Sequence, residues 1–86
     1  MEKLEELRKR IDGVDEQICA LIKERFDFVK EVGEAKKELG AHVENIDRER
    51  EVIERVRNAM PDELKDYAED VFCLLIKESK DLQKKL

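Results

Sequence analysis

The stretch LEELRKRIDGVDEQICALIKERFDFVKEVGEAKKEL, residues 4–39, decides the architecture. Its apolar residues recur at alternating steps of three and four, through Leu4, Leu7, Ile11, Val14, Ile18 and Leu21, and again through Phe28, Val32, Ala35 and Leu39. That period is helical. Gly40 follows as the residue suited to the left-handed turn that ends a helix, and Lys36 and Lys37 lie near the negative end of its dipole. The spacing predicts one helix from about Lys3 to Leu39, roughly 55 Å long at about 1.5 Å per residue. A compact chain of this size has a radius of gyration of only about 12 Å, so the helix overshoots any globule the chain forms alone. It needs a second chain to cover it.

Arg25 interrupts this stripe at a position where packing alone calls for a leucine. A guanidinium there loses hydration worth several kcal/mol, which a carboxylate from protein or ligand must offset. The arginine therefore marks either a buried ion pair or a pocket that awaits an anion.

Outward from this helix, the composition favours more of the same. Charged residues make up 48% of the 86-residue chain, with three Gly and one Pro, which suits long salt-bridged helices; strands need apolar alternation and turn residues that are missing. The length fits a single domain over residues 1–86, with a core drawn mainly from Leu, Ile and Val. Asn45 can N-cap a second helix carrying Ile46, Ile53, Val56 and Met60 on one face, ended by Pro61. Asp62 to Leu86 is expected as a third, with Leu64, Ala68, Val71, Leu75 and Leu82 along one stripe and Phe72 and Ile76 opening another. The expected fold is all-α: one very long N-terminal helix, a short middle helix and a C-terminal helix, paired with a second copy.

A formal charge of −5 argues against nucleic acid or an anionic membrane as partner. Cys19 and Cys73 fall among apolar neighbours and are expected as small core residues in a reducing compartment, forming neither a metal cluster nor a disulfide framework. With no leader pattern and no run of 18 apolar residues, the chain is expected in the cytoplasm. His42, the only histidine, lies in a loop without an adjacent nucleophile and is expected to be solvated.

Polar residues stand in apolar registers on every helix. Arg25 and Lys36 are eleven residues apart, which returns them to within about 20° of the same direction. Arg8 lies seventeen residues before Arg25, about 25 Å along the axis, too far to enter the same pocket from the same helix but able to enter a partner's across a two-fold axis. Glu49 takes an apolar place on the second helix, with Arg48 flanking it, and Ser79 and Gln83 continue the stripe of Phe72 and Ile76. Each residue also has a plainer reading: Arg25 paired with Glu49 to fix register, Lys36 snorkelling, Arg8 and Arg48 solvated, Ser79 a small filler, Gln83 an exposed helix residue.

Taken in order, these segments closely resemble the all-helical (type II) chorismate mutase family. The resemblance runs through Leu7-Arg8-Lys9-Arg10-Ile11-Asp12 with Asp15, Leu21-Ile22-Lys23-Glu24-Arg25, Val32-Gly33-Glu34-Ala35-Lys36, Ile46-Asp47-Arg48-Glu49-Arg50, and Ser79 with Gln83. It implies an intertwined homodimer that rearranges chorismate to prephenate on the route to phenylalanine and tyrosine, without cofactor or metal. It further implies that Arg25 and the partner subunit's Arg8 clamp the substrate's two carboxylates, and that Lys36 and Gln83 hydrogen-bond the ether oxygen, Lys36 also lying near a carboxylate. Glu49 would accept from the ring hydroxyl, Arg48 line the pocket and Ser79 contact a carboxylate. Asn45 stands where members often carry an aspartate, so a changed contact is expected there.

The residue types suit that chemistry. A Claisen rearrangement breaks an ether C–O bond and forms a C–C bond in one step, which fits a sequence without a Ser-His or Cys-His arrangement. Arginine forks hold a flexible dianion in its reactive shape, and donors aimed at the ether oxygen favour the transition state as negative charge collects there. Two other readings share the pattern: an isochorismate pyruvate lyase of the same fold, and a non-catalytic helical dimerisation module whose Arg25 and Glu49 set pairing register.

Overall fold

The computed structural model describes residues 2–86, and among them there is no strand. Helix α1 spans Glu2–Leu39, α2 spans Ile46–Asn58, and α3 spans Lys65–Lys84 after a 3-10 turn at Asp62–Leu64. Helices α1 and α2 each pack on α3, making it the element common to both interfaces. The described chain measures 56 × 26 × 15 Å with a radius of gyration of 16.2 Å, well above the roughly 12 Å of a compact chain this size. Among the described residues no helix is long and apolar enough to cross a membrane.

Local chemistry explains each boundary. Gly40 adopts φ 67°, and the N–H groups of Gly40 and Ala41 donate to Lys37 O and Lys36 O at 3.2 and 2.8 Å, a Schellman closure that puts Lys36 in the last turn of α1. Asn45 caps α2 from an extended backbone, its Oδ1 accepting from the Arg48 N–H at 3.0 Å. The third helix begins later than Asp62. Pro61 has ψ 153°, and Leu64 N–H reaches back to Pro61 O at 2.9 Å, so the chain makes one tight turn before the α-helical pattern starts. Arg57, near the end of α2, donates to Asp66 at 2.9 Å and Glu69 at 2.8 Å, while Lys65 Nζ donates to Arg57 O at 2.8 Å. These bonds tie the end of α2 to the start of α3.

The packing differs from the sequence expectation in one instructive way. Most of the stripe from Leu4 to Leu39 stays uncovered, and although Arg25 on it bonds Ser79, the better-covered apolar contact of α1 with α3 lies beside it. That contact uses the half-buried Ile22, Phe26 and Val29 with buried Gly33, while Leu21 and Phe28 on the stripe remain 63% and 58% exposed. Every residue from Glu2 to Leu21 is exposed, and no hydrophobic side chain among the described residues is fully buried. The expected Leu, Ile and Val core is therefore only half formed within one chain. Cys19 and Cys73 are exposed rather than core residues, Cys19 on the uncovered first half of α1 and Cys73 on an open groove between α2 and α3; His42 is exposed as expected.

The magnitude matters. Fully covering an aliphatic side chain is worth about 1.5–3 kcal/mol, so the six on the stripe before Arg25 together forgo on the order of 10 kcal/mol. That is comparable to the whole net stability of an ordinary domain, about 5–15 kcal/mol.

Candidate active site

Beside the second half of α1, the helices α1, α2 and α3 and the 40–45 loop line an open cleft of about 290 Å³. Its apolar lining includes Phe28, Val29, Val32, Val52 and Ile76; its polar lining is Arg25, Lys36, Asn45, Arg48, Glu49, Ser79, Lys80 and Gln83. Seven of the eight site residues expected from the sequence thus meet around one space. Arg8 is the exception. It is exposed in the first turns of α1 and lines no part of this cleft, as its separation from Arg25 along the helix requires.

Arg25 is half-buried, and its Nη1 donates to Ser79 Oγ at 2.8 Å. Ser79, only 7% exposed, in turn donates to Leu75 O one turn back at 2.7 Å, so its hydroxyl proton is spent on the backbone and its lone pair faces the guanidinium. Burial first, and the nearby Arg48 cation second, hold the Arg25 pKa below its ordinary value. Arginine nonetheless stays charged at neutral pH. The ion pair with Glu49 that the sequence left open is not formed; Glu49 bonds to Lys80 instead. A partly desolvated cation therefore faces a second cation and a neutral hydroxyl.

The other donors are held by backbone carbonyls. Lys36 Nζ donates to Val43 O in the loop at 2.7 Å, and Gln83 Nε2 donates to Val29 O on α1 at 3.0 Å, which orients the amide across the α1–α3 contact. Arg48 is exposed, pairs with Glu51 and brings a further positive charge to the cleft mouth. Asn45 lines the wall, but its side-chain oxygen is committed to the α2 cap. Glu49 is the one carboxylate in the lining, and its Oε2 is enclosed without a hydrogen-bond partner. Chemically, the cleft offers cationic and neutral N–H donors, one acceptor, and an apolar wall.

The family model for chorismate mutase type II matches residues 7–84. The chain belongs to that family. Membership supports the activity and the isomerase class that the sequence led us to expect. A chorismate mutase of Methanocaldococcus jannaschii is 37% identical over 86 residues, covering 98% of this chain and 87% of that protein. A bifunctional chorismate mutase/prephenate dehydratase of Aquifex aeolicus is 43% identical over 56 residues, covering 65% of this chain and 16% of that protein. For the bifunctional enzyme of Escherichia coli K12 the identity is 44% over 50 residues, covering 58% and 13%. The chain thus spans nearly all of the archaeal relative and under a fifth of the bifunctional ones.

One residue in the cleft, Lys80, and one beside it, Gly33, do not stand out in the sequence. Lys80 sits among Lys77, Lys84 and Lys85 and reads as solvated, yet its side chain is only 27% exposed and pairs with Glu49 and Glu44. Its signal was register, since it lies one helical turn after Ile76. Gly33 follows Val32 on α1 and lies where that helix meets the end of α3. A Cβ there would lie 2.8 Å from Leu86 Cδ1 and 3.0 Å from Gln83 Cγ, so the missing side chain sets how closely the end of α3 approaches α1.

Proposed function

We propose that the chain is a single catalytic module that converts chorismate to prephenate as an intertwined homodimer. One observation carries the reading: a half-buried arginine without a carboxylate partner among the described residues shares a cleft with an ammonium and an oriented amide. Arg25 would hold one substrate carboxylate and Arg8 of the partner subunit the other. With both ends fixed, the enolpyruvyl arm lies over the ring and the entropy of folding a flexible dianion is removed from the barrier.

As the C–O bond lengthens ahead of C–C bonding, charge grows on the ether oxygen. Lys36 and Gln83 donate there, strengthening their bonds in the transition state more than in the ground state. Each keeps the backbone carbonyl that orients it and still has N–H to give, two from Lys36 and one from Gln83. Lys36 also lies near a carboxylate, Arg48 adds positive charge, and Glu49 accepts from the ring hydroxyl. Ser79, whose proton goes to Leu75 O, serves the substrate through Arg25 rather than by donating to a carboxylate itself. Asn45 lines the wall near the hydroxyl.

The dimer reading is supported by the uncovered first half of α1, where Leu4, Leu7, Ile11, Val14, Ile18 and Leu21 are exposed beside Arg8. An almost wholly apolar groove of about 520 Å³ continues that surface between Ile18, Leu21 and Phe26 of α1 and Val71, Phe72 and Leu74 of α3. A cytoplasmic location belongs to the same reading, on the two free and exposed thiols. Incubation with chorismate should give prephenate. Salicylate and pyruvate from isochorismate, with chorismate untouched, would instead assign the lyase, and inertness to both would leave the dimerisation module.

A further inference from the structure

Lys80 occupies α3 between Ser79 and Gln83, two residues already assigned to the cleft. Its ammonium donates to Glu49 Oε1 at 3.3 Å and to Glu44 Oε1 at 3.4 Å. The two carboxylates are not equivalent. Glu44 is a largely exposed loop residue that water can serve, whereas Glu49 is only 27% exposed and its second oxygen has no donor among the described residues. An enclosed acceptor without a partner is costly, and one fixed in place within a binding cleft is poised for a donor that arrives with a ligand.

We propose that Lys80 is a positioning residue: by engaging Glu49 Oε1 it fixes the rotation of that carboxylate, so that Oε2 is left as the acceptor for the substrate's ring hydroxyl. This rests on the reading of Glu49 given above. Without the ammonium, Glu49 is free to turn about its terminal torsion, which is broad and two-fold, and to seek Arg48 or Arg50 on its own helix or the unpaired Arg25. The acceptor would then no longer be held where the hydroxyl arrives. Lys80 thereby becomes a specificity device: it makes the enzyme favour a ring that bears a free hydroxyl over one that does not.

The test compares chorismate with an analogue whose ring hydroxyl is methylated, using the full chain and the variants Lys80→Met, Lys80→Arg, Glu49→Gln and Lys80→Met with Glu49→Gln, each checked for cooperative unfolding well above the assay temperature. Lys80→Met should lower kcat/KM for chorismate on the order of tenfold, as for a lost charge-assisted hydrogen bond, mainly through KM, and leave the analogue within about twofold. Lys80→Arg should restore most of the loss. In the Glu49→Gln background, Lys80→Met should add little, because the two residues act through one contact. Equal losses on both substrates, or additive losses in the double variant, would overturn the inference by showing that Lys80 acts independently of Glu49. A further variant, Glu49→Ala, with undiminished kcat/KM for chorismate would remove the acceptor role and the inference with it. Failure of the unaltered protein to make prephenate, by contrast, would strike the proposed activity itself. If Lys80→Met unfolds, the Lys80→Arg comparison on the two substrates decides, since a preserved preference for the free hydroxyl is required.

Discussion

Arg25 on α1 and Ser79 on α3 meet at 2.8 Å, guanidinium to hydroxyl, and no ion pair to Arg25 forms among the described residues. A neutral oxygen orients the cation but does not neutralise it. The uncompensated charge is the thermodynamic handle on the cleft. A rigid dicarboxylate mimic of the rearrangement's transition state, at about 100 times its Kd, should stabilise the fold by about 2.7 kcal/mol. For a chain of this size that is a rise in Tm of roughly 10 °C or more by calorimetry. Arg25→Ala should lose most of the shift; an undiminished shift would take the arginine out of anion binding.

Lys36→Ala should lower kcat by on the order of 100-fold or more, as expected for loss of a preorganised donor to a developing oxyanion. Because Lys36 also holds Val43 O, the variant should show faster hydrogen exchange in the 40–45 loop. Steady-state kinetics showing a near-normal kcat would remove Lys36 from the chemistry.

Gly33→Ala separates packing from propensity. Alanine gains about 0.8–1.0 kcal/mol over glycine inside a helix, yet its Cβ crowds Gln83 Cγ and Leu86 Cδ1. The Leu86 contact is the far end of a flexible side chain and can yield; Gln83 is tied to Val29 O and must shift by a few tenths of an ångström. We expect a melting temperature within a few degrees of the parent and a kcat reduced about tenfold through the misplaced amide. Unchanged turnover would mean that the position of Gln83 is not critical.

Arg8 and Arg25 can be assigned to different subunits by complementation. Neither Arg8→Ala nor Arg25→Ala should be active alone, whereas an unfolded and co-refolded mixture should recover activity, because a heterodimer rebuilds one intact site of its two. An inactive mixture, with mass measurement confirming heterodimers, would show that both arginines serve the same subunit's site.

The pH response follows from Lys80, whose pKa is raised above the ordinary lysine value of 10.5, first by its hydrogen bond to Glu49. A raised folded-state pKa contributes stability that is complete below the ordinary value and lost as pH climbs through the raised one. The Tm gap between the parent and Lys80→Met should therefore hold constant from pH 7 to about 10 and shrink above it. Gln83 does not titrate, so kcat/KM should be flat between about pH 6 and 8; a steep fall there would count against its role at the ether oxygen.

Most of the architecture was legible because it depends on local rules. Three-four periodicity gave α1, Gly40 and Pro61 gave the breaks, and Asn45 gave the cap. What the pattern could not reveal was which neighbour each face meets. The stripe on α1 is continuous whether α3 covers it or another molecule does, and only tertiary geometry separates Ile22, Phe26 and Val29 from Leu21, Phe28 and Val32. The same limit explains the misplacement of Cys19 and Cys73. For the cleft, substitutions of polar for apolar residues identified Arg25, Glu49, Ser79 and Gln83. Lys80 escaped because a lysine surrounded by lysines carries no such contrast.

The absence of any fully shielded hydrocarbon among the described residues reaches beyond the cleft. On the pairing proposed above, cooperativity resides between molecules rather than within one, and the amount of polypeptide made becomes a thermodynamic variable of its own conformation. Dilution would then act as a denaturant.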